Sequence, residues 1–228
     1  MATSNNTGDR VTVQAGQKSG IKVRRATSAI QEFLARLVEG KTVLDVGCAD
    51  HSALMETAGT WLHKHLARSA RSIMGLDILE SEVAELRRRG YDVVSGDATT
   101  VGLDRTFDYV VAGEIIEHVD APGALVANMA RHLNADGRLV LSTPNPFFAL
   151  HFLESILTAT DRRWNPEHVG WYCPFTLGNL LGRNGLEVEA YYYFTRSRKL
   201  RRVMRTLHIP CYGVLASTIL VIARRTTA

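Results

Sequence analysis

Residues 42–50 read Thr42-Val43-Leu44-Asp45-Val46-Gly47-Cys48-Ala49-Asp50, an apolar run that ends in an acid and a glycine. An apolar run of this kind predicts a strand buried on both faces, as in a parallel sheet. Because glycine has no Cβ, a ligand can approach the backbone of the turn that follows. The stretch therefore predicts a nucleotide-type binding site at the end of a buried strand.

Two later runs end in the same way. Residues 72–77 form a strand-like run that ends in Asp77, and residues 91–98 contain Asp97 near their end. In an open α/β sheet, ligands lie across the carboxyl ends of the strands, so the three acids predict one crevice. A carboxylate accepts hydrogen bonds from hydroxyl groups, and Asp77 is therefore suited to grip a ribose diol. The pattern predicts a bound nucleoside.

Helical and strand-like segments alternate over most of the chain. The predicted helices cover residues 25–38, 52–68, 81–89, 123–133 and 174–183. The predicted strands lie within residues 42–50, 72–77, 91–98, 108–112, 138–143, 186–194 and 217–224. Such alternation favours right-handed crossovers and a parallel sheet. We therefore expect an α/β fold, a Rossmann-like doubly wound seven-stranded sheet that is mostly parallel with an antiparallel last strand.

Length and composition fit one globular domain. The chain has 228 residues, of which 46% are hydrophobic, enough for one core. We expect a flexible arm over residues 1–20, a single domain over residues 21–228 and a substrate-binding insertion near residues 147–172, because long connections often bind substrate. The apolar run at residues 214–223 has about half of the roughly 20 residues that a membrane helix needs. We expect a cytoplasmic protein without a transmembrane segment.

The basic character of the chain is local. The net charge is +4, and six basic residues and no acidic ones lie within residues 196–205. Such a cluster could meet a phosphate backbone or another polyanion, or it could be a solvated surface. Nucleic acid is therefore a less favoured partner than a small polar or saccharide substrate. The polar arm and this basic segment are also candidates for the contact of a homodimer.

Five motifs give the chain a resemblance to a known family. They are VLDVGCAD (43–50), GLDI (75–78), SGDAT (95–99), FDYVVAGEIIEHV (107–119) and LNADGRLVLSTPNP (133–146). Their order and spacing resemble the class I S-adenosylmethionine-dependent methyltransferases over about residues 25–225. A nicotinamide dehydrogenase fits less well, because its turn has the pattern G-x-G-x-x-G and this chain keeps only the first glycine, Gly47.

The resemblance implies S-adenosylmethionine as the cofactor and assigns residues to it. Asp45 and Gly47 would hold its ammonium group, Asp77 would accept from the ribose hydroxyls, and Asp97 with the Ala98 backbone would face the adenine. The predicted cofactor contacts are Asp45, Gly47, Asp77, Ile78, Asp97, Ala98 and Glu114. Ala49 and His51 stand where the family has further glycines, so contacts at these two positions stay open.

Three polar residues follow the fourth predicted strand. Glu114, Glu117 and His118 have i, i+3 and i+4 spacing, which puts them on one side of a helical turn. Transfer of a methyl group to a hydroxyl needs a base near neutral pH, and the imidazole pKa of about 6.5 suits that task. We therefore expect His118 to be the general base and Glu117 to act with it. In the alternative, His118 caps the helix or bonds a backbone carbonyl.

The same residues resemble a metal site in one branch of the family. Ubiquinone-type O-methyltransferases share the EHV and LSTPN style, whereas small-RNA 2′-O-methyltransferases share E-x-x-E-H with a later histidine. The second resemblance implies Glu114, Glu117, His118 and His168 as candidate metal ligands. Carboxylate and imidazole groups together suit a divalent cation such as Mg²⁺ or Mn²⁺ more than Zn²⁺. The alternative is that these are ordinary polar residues of a helix start and a loop.

Aromatic and histidine residues are frequent in the connection after the fifth predicted strand. The predicted substrate contacts are Asn145, Trp164, His168, Trp171 and Tyr172, since flat aromatic faces can pack on sugars or bases. The leading hypothesis is O-methylation of a saccharide, glycan or similar polar small molecule. A metal-dependent RNA 2′-O-methyltransferase and a non-catalytic S-adenosylmethionine-binding module are the alternatives.

Overall fold

The structure is a computed structural model. It describes residues 22–25, 29–49, 61–158, 165–195, 197, 199, 202–203, 206 and 213–226. The predicted arm over residues 1–20 and the first part of the predicted helix 52–68 lie outside these residues.

Eight strands and six helices are described. The strands are β1 Lys22–Arg25, β2 Thr42–Val46, β3 Ser72–Asp77, β4 Val93–Ser95, β5 Phe107–Gly113, β6 Leu133–Pro144, β7 Leu186–Phe194 and β8 Thr218–Arg225. The helices are α1 Ile30–Leu37, α2 Leu62–Ala67, α3 Glu80–Arg88, α4 Pro122–Arg131, α5 Ala149–Thr158 and α6 Pro174–Arg183. Short 3₁₀ turns lie at Ile116–His118 and Gly213–Leu215.

The strands form one sheet in the order β1-β7-β8-β6-β5-β2-β3-β4. Strands β2 to β6 pair in parallel with their neighbours among themselves, whereas β8 runs antiparallel to both β6 and β7. The predicted doubly wound, mostly parallel sheet with an antiparallel last strand is thereby confirmed. An eighth strand, β1, adds to its edge in parallel with β7.

Both faces of the sheet are covered, as the continuous apolar runs predict. Leu44 and Val110 belong to one core cluster, which also contains residues of α4 and α6. Their neighbours Val43 and Val111 belong to the opposite cluster, with residues of α1 and α2. Successive side chains of a strand point to opposite faces, so each central strand supplies both halves of the core.

The predicted start of the first helix was wrong. The predicted helix 25–38 begins only at Ile30, because Arg25 pairs with Tyr193 in the edge strand β1. The region near residues 147–172, where we expect a substrate-binding insertion, contains the apolar helix α5. Among the described helices, none combines the length and the hydropathy that a bilayer crossing requires.

Candidate active site

The carboxyl ends of β2, β3 and β4 lie side by side. Val46 pairs with Leu76, and Asp77 pairs with Ser95, so the segments that carry Asp45, Asp77 and Asp97 leave one edge of the sheet. This adjacency is the arrangement that the three strand-end acids predict. Asp45 and Asp77 are buried, whereas Asp97 is exposed.

The turn after β2 depends on glycine at position 47. Gly47 has a φ of +78°, and its N–H donates to the Leu76 carbonyl at 2.8 Å. A Cβ built on Gly47 would lie 2.2 Å from Cδ1 of Ile115. The sequence predicts that this glycine admits a ligand to the backbone. The structure adds a second reason, because the volume that a Cβ would need is filled by Ile115.

Asp45 has a buried partner that the sequence analysis missed. Nδ1 of His63 lies 2.9 Å from Oδ2 of Asp45, and both side chains are buried. The His63 ring packs against two aromatic rings, with centroids 5.3 Å from Trp61 and 5.7 Å from Tyr91. The structure buries His63 and leaves His65, on the same helix, half-buried. The available signal was spacing, because His63 precedes the buried Leu66 by three residues and so shares its side of the helix.

Asp77 accepts hydrogen bonds from the turn after β2 and from the turn after β3. Its Oδ2 accepts a hydrogen bond from the N–H of Ala49 at 2.9 Å, and its Oδ1 accepts from the N–H of Leu79 at 3.1 Å. Burial raises the pKa of the Cys48 thiol, and the negative charges of Asp45 and Asp77 raise it further. Both carboxylates therefore lie near the Cys48 thiol, at the same place in the crevice. Gly75 permits this packing, since a Cβ there would lie 2.6 Å from Sγ of Cys48.

The remaining predicted cofactor contacts lie at the same edge with different exposures. Oδ1 of Asp97 accepts from the N–H and the hydroxyl of Thr99, both at 2.8 Å. The Ala98 carbonyl accepts from the side chain of Asn128. Ile78, directly after Asp77, is 66% exposed although it is large and apolar. An exposed apolar surface beside two acids is suited to an adenosyl group.

Glu114 does not share a helical turn with Glu117 and His118. It has a φ of +57°, which side chains rarely adopt, and the 3₁₀ turn begins two residues later. Its N–H donates to the Ser142 carbonyl at 2.9 Å, and its Oε1 lies 3.5 Å from the Ser142 hydroxyl. The prediction that the three residues share one face was therefore wrong for Glu114. Strained backbone of this kind is frequent at functional sites.

Glu117, His118 and His168 form one polar cluster. One ligand-type atom from each lies within 4.8 Å of the other two. The His118 and His168 rings are 4.8 Å apart and nearly perpendicular, at 84°. The Glu117 carbonyl accepts from the N–H groups of Val169 and Gly170, at 2.8 and 3.2 Å, which brings His168 to the turn. Glu117 is buried, whereas the two histidines are half-buried.

The predicted substrate residues divide into two groups. Trp171 and Tyr172 are half-buried beside the cluster, with the Trp171 ring 5.6 Å from that of His168. Burial raises the pKa of the Tyr172 hydroxyl, and the charge of Glu117 raises it further. Asn145 is buried, and its amide donates to the carbonyls of Gly213 and Ala216, both at 2.7 Å. Trp164 lies outside the described residues.

This geometry suits proton removal from an acceptor beside a cofactor crevice. The half-buried imidazole of His118 can take a proton, and the buried carboxylate of Glu117 can stabilise the imidazolium that results. A divalent cation also suits the donor set, since one carboxylate and two imidazoles can serve as ligands. The amide hydrogens of Asn145 bond backbone carbonyls. Its contact with substrate therefore stays a prediction, and the geometry does not favour it.

Residues 19–191 match the family described as "Methyltransferase domain". A probable S-adenosylmethionine-dependent methyltransferase from Mycolicibacterium smegmatis is 30% identical over 168 residues, 72% of this chain and 59% of that protein. The ubiquinone biosynthesis O-methyltransferase of Rickettsia conorii is 25% identical over 58% of this chain and 45% of that protein. The (S)-tetrahydroprotoberberine N-methyltransferase of Eschscholzia californica is 28% identical over 37% and 24%. The chain therefore spans less than two thirds of the length of each of these relatives.

Solved structures show the same fold. A S-adenosylmethionine-dependent methyltransferase from Mesorhizobium loti has a TM-score of 0.56 at 19% identity, over 88% of this chain and all of that one. Magnesium protoporphyrin IX methyltransferase from Synechocystis, solved with bound SAH, has a TM-score of 0.56 at 16% identity, over 86% of this chain and 83% of that one. At these identities the likeness concerns the fold alone.

Proposed function

The chain belongs to the methyltransferase domain family, and from this membership we propose that it is a S-adenosylmethionine-dependent O-methyltransferase. Its acceptor is a hydroxyl of a saccharide, glycan or similar polar small molecule. The proposal rests on one observation: the side chains of His118 and His168 lie close to the buried carboxylate of Glu117. This cluster follows β5, whose neighbour β2 carries Asp45, so the proton acceptor and the cofactor crevice share one edge.

S-adenosylmethionine fits the acidic crevice. The buried carboxylate of Asp45 is suited to the ammonium group. Asp77 is suited to the ribose hydroxyls because each of its oxygens accepts one backbone N–H, from Ala49 or from Leu79, and keeps a second acceptor site. Exposed Ile78 offers an apolar surface to the adenine. The related proteins whose names state a cofactor are S-adenosylmethionine-dependent, and this agrees with the assignment.

The reaction is an in-line displacement. A lone pair of the acceptor oxygen forms the new bond to the methyl carbon, while the bond between carbon and sulfur breaks and its electron pair stays on sulfur. The hydroxyl proton passes to an imidazole nitrogen of His118. Glu117 stabilises the imidazolium, and Trp171 and Tyr172 orient the acceptor. Orientation of the reactants supplies much of the rate in such a transfer.

Methyl transfer with labelled S-adenosylmethionine tests the proposal. A panel of mono- and oligosaccharides is compared with matched amino sugars, because the relatives include both O- and N-methyltransferases. We expect label on hydroxyl oxygen only. Transfer exclusively to nitrogen or carbon would refute the acceptor class while leaving the family unaffected. Absence of S-adenosylmethionine binding in calorimetry would refute the cofactor assignment.

A second candidate function is metal-dependent RNA 2′-O-methylation. The same three donors, Glu117, His118 and His168, favour it because they suit Mg²⁺ or Mn²⁺; Glu114, the fourth predicted ligand, is not a member of this group. A bound divalent cation would acidify the acceptor hydroxyl. Mn²⁺ titration followed by thermal unfolding tests the site, with His168→Ala as the variant that loses the shift. RNA affinity that falls steeply with salt would be required in addition.

A further inference from the structure

Helix α5 leaves an apolar surface exposed. Ile156 and Leu157 are 63% and 79% exposed, and the side chains at this surface repeat at helical spacing. The exposed apolar residues of this region are Phe147, Leu150, Leu153, Ile156 and Leu157. Contiguous apolar surface on a water-soluble domain marks a site of interaction with another apolar body. We call these five residues the α5 surface.

The connection between β7 and β8 is basic. Residues 196–205 contain six basic residues and no acidic ones. Lys199, Arg202 and Val203 are among its described residues, and all three are exposed. Val214, which follows the segment, is also exposed. The segment thus combines positive charge with apolar side chains.

Asn145 connects the two features. Its amide donates to the carbonyls of Gly213 and Ala216, and its backbone N–H donates to Ser217 at 2.9 Å. Helix α5 begins four residues after Asn145, and the basic segment precedes Gly213. Helix α5 therefore follows the carboxyl end of β6, and the basic segment lies in the chain between the end of β7 and the start of β8. Phe194 and Ser217, which flank that connection, are hydrogen-bonded to each other, and Ser217 also accepts from Asn145, so its two ends lie at the edge that carries the candidate active site.

We infer that the α5 surface and the basic segment together dock on an anionic lipid surface. Apolar side chains of an interfacial helix enter the boundary between headgroups and acyl chains, and nearby lysine and arginine residues are attracted by anionic lipids. Positive charge alone would fit RNA equally well, but RNA offers no apolar phase for Ile156 and Leu157. If the proposed function also holds, the docked enzyme meets its acceptor hydroxyl on the headgroup of an amphiphile.

Vesicle co-sedimentation of the full chain tests this inference. We expect binding to phosphatidylcholine vesicles that contain phosphatidylglycerol, little binding to phosphatidylcholine alone, and weakening by salt. Lys199→Glu with Arg202→Glu should lower the partition coefficient about 25-fold or more, since each basic residue near the surface contributes about a factor of 5. The matched control is Arg68→Glu with Arg183→Glu, two exposed residues at the opposite edge of the sheet, and it should bind like the parent.

The apolar part has its own test. Ile156→Asp with Leu157→Asp should lower the partition coefficient more than tenfold, whereas Ile156→Leu with Leu157→Ile should retain it; thermal unfolding verifies that each variant is folded. Failure to bind anionic vesicles, equal loss in the Arg68 and Arg183 control, or capture of RNA in place of vesicles would overturn the inference. Sedimentation requires no methyl transfer, so His118→Ala should bind vesicles like the parent. Failure of docking is thus distinguishable from failure of the proposed function.

Discussion

Nδ1 of His63 lies 2.9 Å from Oδ2 of Asp45, and neither side chain has appreciable contact with solvent. A buried carboxylate is unfavourable unless a hydrogen-bond donor compensates for its lost hydration. His63 supplies that donor and fixes the orientation of the carboxylate. Asp45 lies one residue before the end of the strand that leads into the turn at Gly47, so we propose that His63 positions Asp45 for the ammonium group of S-adenosylmethionine.

Replacing His63 with alanine should therefore weaken both the fold and cofactor binding. We expect the free energy of unfolding to fall by about 1–3 kcal/mol, because the buried carboxylate loses its partner. We also expect about tenfold weaker S-adenosylmethionine binding in calorimetry, consistent with loss of one hydrogen bond to a charged group. His63→Asn, which keeps a donor, should recover part of the affinity. His65→Ala on the same helix is the control, and equal losses from both alanine variants would contradict the role of His63.

Variants of Asp77 and His118 should separate cofactor binding from turnover. Asp77→Asn replaces an acceptor of two backbone hydrogen bonds, so we expect tenfold to 100-fold weaker cofactor binding, about the range for one bond to a charged group. His118→Gln keeps a polar side chain but removes the base, so we expect kcat to fall by about 10²–10⁴ with unchanged cofactor affinity. Calorimetry and single-turnover kinetics measure the two effects. Similar small changes in both variants would disprove the assigned roles.

The frame of the site was predictable from the sequence because its signals are local and periodic. Val43 and Leu44 belong to an apolar run that is buried on both faces, and a run of this kind already indicates a parallel strand. Asp45 and Asp77 stand at strand ends, and adjacent parallel strands bring such ends together. These signals require no knowledge of contacts between distant residues.

The missed features depend on distant contacts. His63 is buried where it bonds Asp45, 18 residues earlier, and packs against Trp61 and Tyr91. Glu114 leaves the helical turn because its backbone bonds Ser142, which lies on the neighbouring strand. Strand β1 forms because β7 has a free edge, so propensity near Arg25 could not reveal it. In each case the partner decides the local structure, and the partner is far away along the sequence.

Cys48 and Cys173 should differ in reactivity. Burial and the charges of Asp45 and Asp77 raise the pKa of the Cys48 thiol, so less thiolate exists at a given pH. Burial also acts on half-buried Cys173, but hydrogen bonds from Thr176 and neighbouring backbone outweigh it and lower the pKa of that thiol. Because the thiolate is the nucleophile, iodoacetamide at pH 8 should label Cys173 much faster than Cys48. Peptide mapping by mass spectrometry measures both rates, and faster labelling of Cys48 in the folded protein would contradict this account.

Gly47→Ala should destabilise the fold through a specific collision. The new Cβ would lie 2.2 Å from Cδ1 of Ile115, at a φ of +78°, so we expect a loss of about 3 kcal/mol from overpacking and backbone strain. Gly40 offers the matched control, because its φ is +70° and nothing lies within 4 Å of its Cβ position; Gly40→Ala should cost about 1 kcal/mol. Urea denaturation measures both variants. Ile115→Ala removes the colliding atoms, so it should lower the free energy of unfolding less in the Gly47→Ala background than in the parent. Strictly additive losses of unfolding free energy would mean that Ile115 does not exclude a side chain from the turn.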